Sequence, residues 1–245
     1  MDMLDFSGQV LLTRGMITRF STIACCAVMI AAAPVPATAA SPRELLTAAA
    51  FQSTDKAKAL ALIGQAITEA DRTLAERPGD HEATLQRGLA IGYRGKLTRN
   101  RADARTSIGI FEALAVRNPR DAEAQIVIAG WHLDAIDHLG GFLARSVVGA
   151  KRATGEAAMA RAVALDGKRA FFPGIAALMA IRLDKGNLAQ ARKWAEAAAT
   201  APTPTPIDAL MRRDAIAMLP ALRGNDAKGA AELARKLLPF GRLAN

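Results

Sequence analysis

Residues 181–198 restrict the folding of this chain more than any other stretch, because they read as the hinge of a tight antiparallel helix pair. Gly186 is placed to take the left-handed conformation that ends one helix, and Asn187 to accept a backbone N–H at the start of the next. Beyond the hinge, Leu188, Ala191, Ala195 and Ala198 recur at helical spacing with Trp194 beside them, while Arg192, Lys193 and Glu196 point elsewhere. The resulting face is narrow and built of small residues, which suits the close approach of a second helix. A Gly-Asn hinge returns 38 residues later as Gly224-Asn225, followed by Ala227, Ala230, Ala231, Leu233 and Ala234. Alanine carries the pattern: 55 of the 245 residues are Ala and only 11 are aromatic, which favours helix packed on helix over a strand-built core.

The rest of the chain supplies matching starts and stops. Ser41-Pro42-Arg43-Glu44 reads as a helix start with an N-cap, a proline in the first helical position and a glutamate reaching back. Ser53-Thr54-Asp55 and Asp80 open two more helices, the first with the stripe Ala59, Leu62, Ile63, Ala66, Ile67, Ala70 and Leu74. The second is expected to run to Tyr93 and give way to a polar loop. The breaks after Pro78 and Pro119 share Pro, Asp, Glu and Ala at an offset of 41 residues, a second internal repeat. Residues 202–206, with three prolines, are too short for a domain linker and read as a rigid turn. Ten or so helices in consecutive pairs, repeating at 38 and 41 residues, predict an all-α fold, an α-solenoid of about five antiparallel helix pairs over residues 40–245.

These residues carry a resemblance. The sequence resembles a divergent tetratricopeptide repeat (TPR) array, a family whose unit of about 34 residues places Gly or Ala where paired helices cross, an aromatic on the second helix, and Pro after it. The matching positions are Gly186, Ala191, Trp194, Ala195 and Ala198 with Pro202; Phe111 and Pro119; and Gly88 with Ala66, Leu74 and Pro78. They span most of residues 55–238. The resemblance implies an interaction scaffold that holds a protein or peptide partner in a concave groove lined by the first helix of each pair.

The N-terminus reads as an address. Arg14 and Arg19 precede an uncharged run over residues 20–33, Pro34 and Pro36 break it, and Ala37-Thr38-Ala39 offers small residues at the positions a signal peptidase reads. Residues 1–39 are therefore expected to be a signal peptide, with Met16 as a more ordinary start and cleavage before Ala40. An uncleaved anchor and a lipoprotein acylated at Cys25 or Cys26 are the competing readings, but the prolines leave the apolar run short of a full span and the lipobox match is poor. Cleavage predicts a periplasmic or secreted protein with no transmembrane span and no cysteine, hence no disulfide and no thiol chemistry.

The mature chain keeps 30 basic and 21 acidic residues, the same net +9 as the whole. That charge favours anionic partners such as lipid headgroups, acidic proteins or polyanions, and export makes nucleic acid an unexpected one. Residues 93–105 hold five cations against one anion; this stretch is either a solvated connector or a collector of anionic groups through Lys96, Arg99 and Arg101 beside Tyr93. Residues 130–138 are the only place where two histidines and two carboxylates gather. Asp134 and His138 share a helix face and His132 lies well round from them, so one metal is not expected to join the three. Trp131, Asp134 and His138 either pack and pair structurally or line the groove and grip a ligand. No phosphate loop, nucleophile elbow, paired-carboxylate pattern or metal-ligand cluster occurs, so neither an enzyme nor a cofactor is expected. The sequence thus predicts an exported scaffold for a protein or peptide, with a second reading as a periplasmic accessory of solute transport enclosing a small ligand. An open groove on an elongated array would favour the first; a closed apolar tunnel near Trp131 and Phe142 would favour the second.

Overall fold

Ser41 sets the first helix. Its hydroxyl accepts the Glu44 N–H, the Glu44 carboxylate accepts the Ser41 N–H, and Pro42 fills the first helical position of α1 (Pro42–Phe51). The structure is a computed structural model that describes residues 40–243; the expected signal segment 1–39, with Met16 and both cysteines, lies outside the described residues. Asp55, Asp80, Asn100 and Asp121 repeat the capping device, each accepting an N–H from the turn that follows. They open α2 (Lys56–Glu76), α3 (His81–Thr98), α4 (Arg101–Arg117) and α5 (Ala122–Leu139).

The two proline breaks that look alike in sequence also fold alike. Arg77 and Asn118 share φ −134° with ψ of 79° and 91°, and their N–H groups donate to Thr73 and Leu114, both at 2.8 Å. Three residues further on, Asp80 and Asp121 donate back to Arg77 and Asn118 at 3.1 and 3.0 Å, and each carboxylate caps the next helix. One turn motif is therefore used twice, 41 residues apart.

The polar loop expected after Tyr93 is helical instead. Helix α3 continues to Thr98, Arg99 closes it in the left-handed conformation (φ 58°), and Asn100 caps α4 at once. Gly95 is the reason. A Cβ there would lie 2.9 Å from the Asp103 Cβ and 3.0 Å from the Ala104 nitrogen, so this glycine lets α4 cross closely rather than breaking α3. Arg94 fastens the crossing with two bonds of 2.8 Å to Asp103, which hold that carboxyl below the usual range.

After α5 the regularity lapses. Gly140 (φ 76°) leaves the helix, α6 (Gly141–Leu143) runs into a π turn over Ala144–Val148, and Gly149 (φ 79°) leads out to α7 (Arg152–Asp166). Helices α8 (Phe171–Leu183), α9 (Leu188–Thr200), α10 (Pro206–Arg223) and α11 (Ala227–Leu237) complete the fold. The two Gly-Asn hinges differ from expectation. Gly186 is not left-handed; Asp184 accepts its N–H at 2.8 Å and starts a 3-10 turn, while Asn187 makes no side-chain cap. At the second hinge Asn225 rather than Gly224 is left-handed (φ 56°), and Asp226 caps α11 through the Gly229 N–H. In both places an aspartate carboxylate, a stronger acceptor than an asparagine amide, takes the N–H of the turn or helix that follows it.

Consecutive helices pack on one another along the chain, with α7 as the main partner of α5, and no strand occurs among the described residues. No described helix is long and apolar enough to cross a membrane. The architecture is all-helical and repeat-like, with two departures from a simple stack. All ten residues from Phe172 to Ile181 of α8 are buried, because α5, α7, α9, α10 and α11 surround it. And past α11 the chain turns back: Phe240 donates its N–H to the Ala50 carbonyl at the end of α1 (2.6 Å), and its ring meets Tyr93 of α3 edge-on at 4.9 Å. Phe240 thus touches the first and third helices.

Candidate functional site

The curl leaves a cavity of about 670 Å³ between α1, α3, α5 and α8, edged by the start of α4 and by Leu238 and Pro239. Its walls are mainly apolar, with Leu46 and Phe51 from α1, Leu89 from α3, Val127 and Trp131 from α5, and Met179 from α8. Alanine and glycine at the helix crossings let the backbones approach closely.

All seven residues singled out from the sequence line this cavity: Tyr93, Lys96, Arg99, Arg101, Trp131, Asp134 and His138. They converge because α4 packs against both α3 and α5, and the later parts of those two helices face one another across the space between them. Lys96 is ion-paired to Asp134 across that gap and sits 6.0 Å above the Phe240 ring. Asp134 and His138 do share a face, with the imidazole Nδ1 2.9 Å from the Asp134 carbonyl oxygen and 3.5 Å from its carboxylate. Burial pushes the Tyr93 phenol above its ordinary value, and the nearby Asp134 charge adds to it, so the group stays neutral and able to donate. Trp131 both packs and lines the cavity; its Nε1–H donates to the Ala104 carbonyl at 3.0 Å. Arg99 and Arg101 stand exposed at the rim and make no ion pair among the described residues.

His132 is occupied otherwise. It is buried, its Nδ1 accepts the Lys151 N–H at 3.2 Å, and burial with the Lys151 charge lowers its pKa, so the ring is neutral. No group of three or more His, Cys, Asp or Glu side chains among the described residues is placed to hold a metal ion. Phe142, expected beside Trp131, is not in the cavity at all but 83% exposed on the far side of the π turn. The two glycines flanking that segment swing it outward.

Sequence reasoning missed a second set of charges at the opposite end of the inner helices. Arg43 binds Glu82 through Nε (2.8 Å) and Nη2 (2.7 Å) and Glu123 through Nη2 (2.7 Å). Arg169 continues the line, 3.7 Å from Glu123 and 3.0 Å from the fully buried Asp208, whose other oxygen accepts the Phe171 N–H at 3.0 Å. Burial opposes the charge on Arg43, but its bonds to both glutamates outweigh it and hold the guanidinium above its ordinary pKa. Burial likewise raises the Asp208 pKa, and the bonds from Arg169, Thr205 and the Phe171 N–H more than reverse that. A signal existed: Arg43 and Glu82, and Arg169 and Asp208, are each 39 residues apart, and Glu82 and Glu123 occupy the same place in the 41-residue repeat. The ladder ties the N-terminal ends of α1, α3, α5 and α10 together and so fixes the inner wall. No protein family, characterised protein or solved structure matches this chain.

Proposed function

We propose that this chain is an exported, TPR-like helical array that binds a small amphipathic molecule, with an apolar body and an anionic end, in its central cavity. The observation that carries this reading is the cavity itself: about 670 Å³, walled by aliphatic and aromatic side chains, within the range of small-molecule sites. A peptide groove needs open ends, whereas here Leu238–Phe240 turns back against α1 and α3. The anionic end is assigned to the rim where Arg99 and Arg101 carry charge that is unpaired among the described residues. An accessory role in solute transport follows as the process such a binding protein would serve.

The test is a titration with linear monocarboxylates of increasing chain length, followed by Trp131 emission in a Trp194→Phe background and by native mass spectrometry. Saturable one-to-one binding that strengthens with chain length, and weakens when Arg99 and Arg101 are replaced by Glu, supports the proposal. Binding of the matching alcohols as tightly as the acids would remove the anionic end from it. Failure of every carboxylate and alcohol, with co-purification of a peptide instead, would return the function to a protein or peptide scaffold.

A further inference from the structure

The described residues expose five large hydrophobic side chains, and three of them, Leu139 (42%), Phe142 (83%) and Leu143 (52%), fall within five positions of the chain. Val116 and Ile216 are isolated, as single exposed apolar residues commonly are. Backbone geometry holds Phe142 and Leu143 out: Gly140 and Gly149, both at positive φ, bracket them, and the π turn over Ala144–Val148 seats Ala144 inward while the two side chains just before it stand exposed. Beside it Phe142, Arg145, Lys151 and Arg152 surround a hollow of about 370 Å³. Residues 139–155 contain these three cations and no acid, and the one ion pair made there is a loose contact of Arg152 with Glu156 at 3.4 Å.

We propose that this segment docks the protein on an anionic lipid bilayer, Phe142 and Leu143 entering the interface while Arg145, Lys151 and Arg152 bind headgroup phosphates. Two or three apolar side chains are too few for a stable protein interface, which buries about 800 Å² on each partner. A bilayer needs no matching shape, accepts an aromatic wedge at its polar boundary, and supplies the negative charge that attracts Arg145 and Lys151, which make no ion pair among the described residues, and Arg152, held only loosely by Glu156. The placement also has a functional sense that rests on the cavity reading: Val147 and Val148 of the same π turn, and Leu139 just before it, line the central cavity. The docking segment is one wall of the binding chamber, so docking sets the cavity mouth against the lipid from which an amphipathic molecule can partition.

The experiment is flotation of the full chain with vesicles of phosphatidylcholine alone and of three parts phosphatidylcholine to one part phosphatidylglycerol. Binding is expected only to the second, to fall about fivefold for each cation neutralised among Arg145, Lys151 and Arg152, and to fall further with Phe142→Ser. Val116→Ser, which removes an equally exposed but isolated apolar side chain, is expected to bind as the unaltered protein does. Because the N-terminal residues could hold vesicles by themselves, Phe142→Trp supplies a local readout: its added emission is quenched by bromine-labelled acyl chains if the wedge inserts. Unquenched emission on a bound protein, equal binding by Phe142→Ser, or loss of monomer in sedimentation that Phe142→Ser restores would each overturn the proposal, the last by making the patch a contact between copies. Its failure leaves the carboxylate titration untouched, since that reports on the cavity in the absence of lipid.

Discussion

Gly174→Ala and Gly64→Ala are the same chemical change in two helix interiors, and the structure gives them opposite signs. Either replacement lowers the entropy of the unfolded chain and strengthens the helix by about 1 kcal/mol. At Gly64, and equally at Gly109, nothing lies within 4 Å of where the new Cβ would sit, so the gain stands alone. At Gly174 the Cβ would lie 2.8 Å from the Met211 Cβ, closer than real Cβ atoms come, and 3.1 Å from the Met211 carbonyl oxygen, a tight contact as well. Neither neighbour can swing aside: one is the root of a fully buried side chain and the other is backbone. Helices α8 and α10 must part by several tenths of an ångström while α8 is hemmed in on every side, an overpacking cost of about 1–3 kcal/mol. The net expectation is a loss of about 1 kcal/mol for Gly174→Ala against a gain of about 1 kcal/mol for Gly64→Ala and Gly109→Ala. Urea unfolding reads this as midpoints moving in opposite directions with unchanged slopes. If Gly174→Ala proves as stabilising as Gly64→Ala, the close crossing of α8 and α10 is not as described and the small-residue seam loses its role.

Phe240→Ala is expected to cost about 3 kcal/mol from lost burial and the lost edge contact with Tyr93, and hydrogen exchange should rise at the amide of residue 240, whose N–H donates to the Ala50 carbonyl; unchanged exchange there would show that the ring does not hold the closure. Asp208→Asn should cost about 2 kcal/mol at pH 7, as hydrogen bonds to a charged acceptor are weakened. Because the folded pKa of Asp208 is depressed, its contribution is complete above the unfolded value of about 4 and disappears as pH falls through the folded one, so the gap between the two proteins should close in acid. Asp214 runs the other way: burial raises its pKa against the opposing bond from Arg213, so Asp214→Asn should stabilise at pH 7 and lose that advantage as pH falls through the raised value. A constant difference across pH in chemical denaturation would refute either assignment.

Local chemistry was the legible part of this chain. The caps at Ser41 and Asp80 and the start over Ser53-Thr54-Asp55 act over three or four residues, so their spacing in the sequence is the cause of the structure. The misreadings occurred where two local rules compete. Gly95 can break a helix or admit a neighbour, and only the position of α4 decides between them; Gly186-Asn187 looks like a stop and a cap until Asp184 and its stronger acceptor are considered. The meeting of Lys96 with Asp134 was legible because the two lie 38 residues apart, close to the repeat length, and repeat spacing implies proximity. Closure by Phe240 was not, since nothing near that residue announces a partner some 190 positions earlier, where Ala50 lies. The ladder through Arg43, Glu82, Glu123, Arg169 and Asp208 stood between: its spacing near the repeat length was visible, but which charges face one another depends on how the hairpins are wound.

The encirclement of α8 bears on how the molecule comes apart. In arrays whose units touch only their neighbours, end units peel away one at a time and shortened versions persist. Here a helix with almost no polar side chain takes its cover from α5 and α7 made earlier and from α9, α10 and α11 made later, so removing either flank uncovers it. During synthesis that apolar rod waits for some forty further residues before its last cover, α11, begins to emerge, and in that interval it is the segment on which a chaperone would act. Melting should accordingly be a single concerted event, and a chain cut after α9 should aggregate instead of surviving as a smaller array.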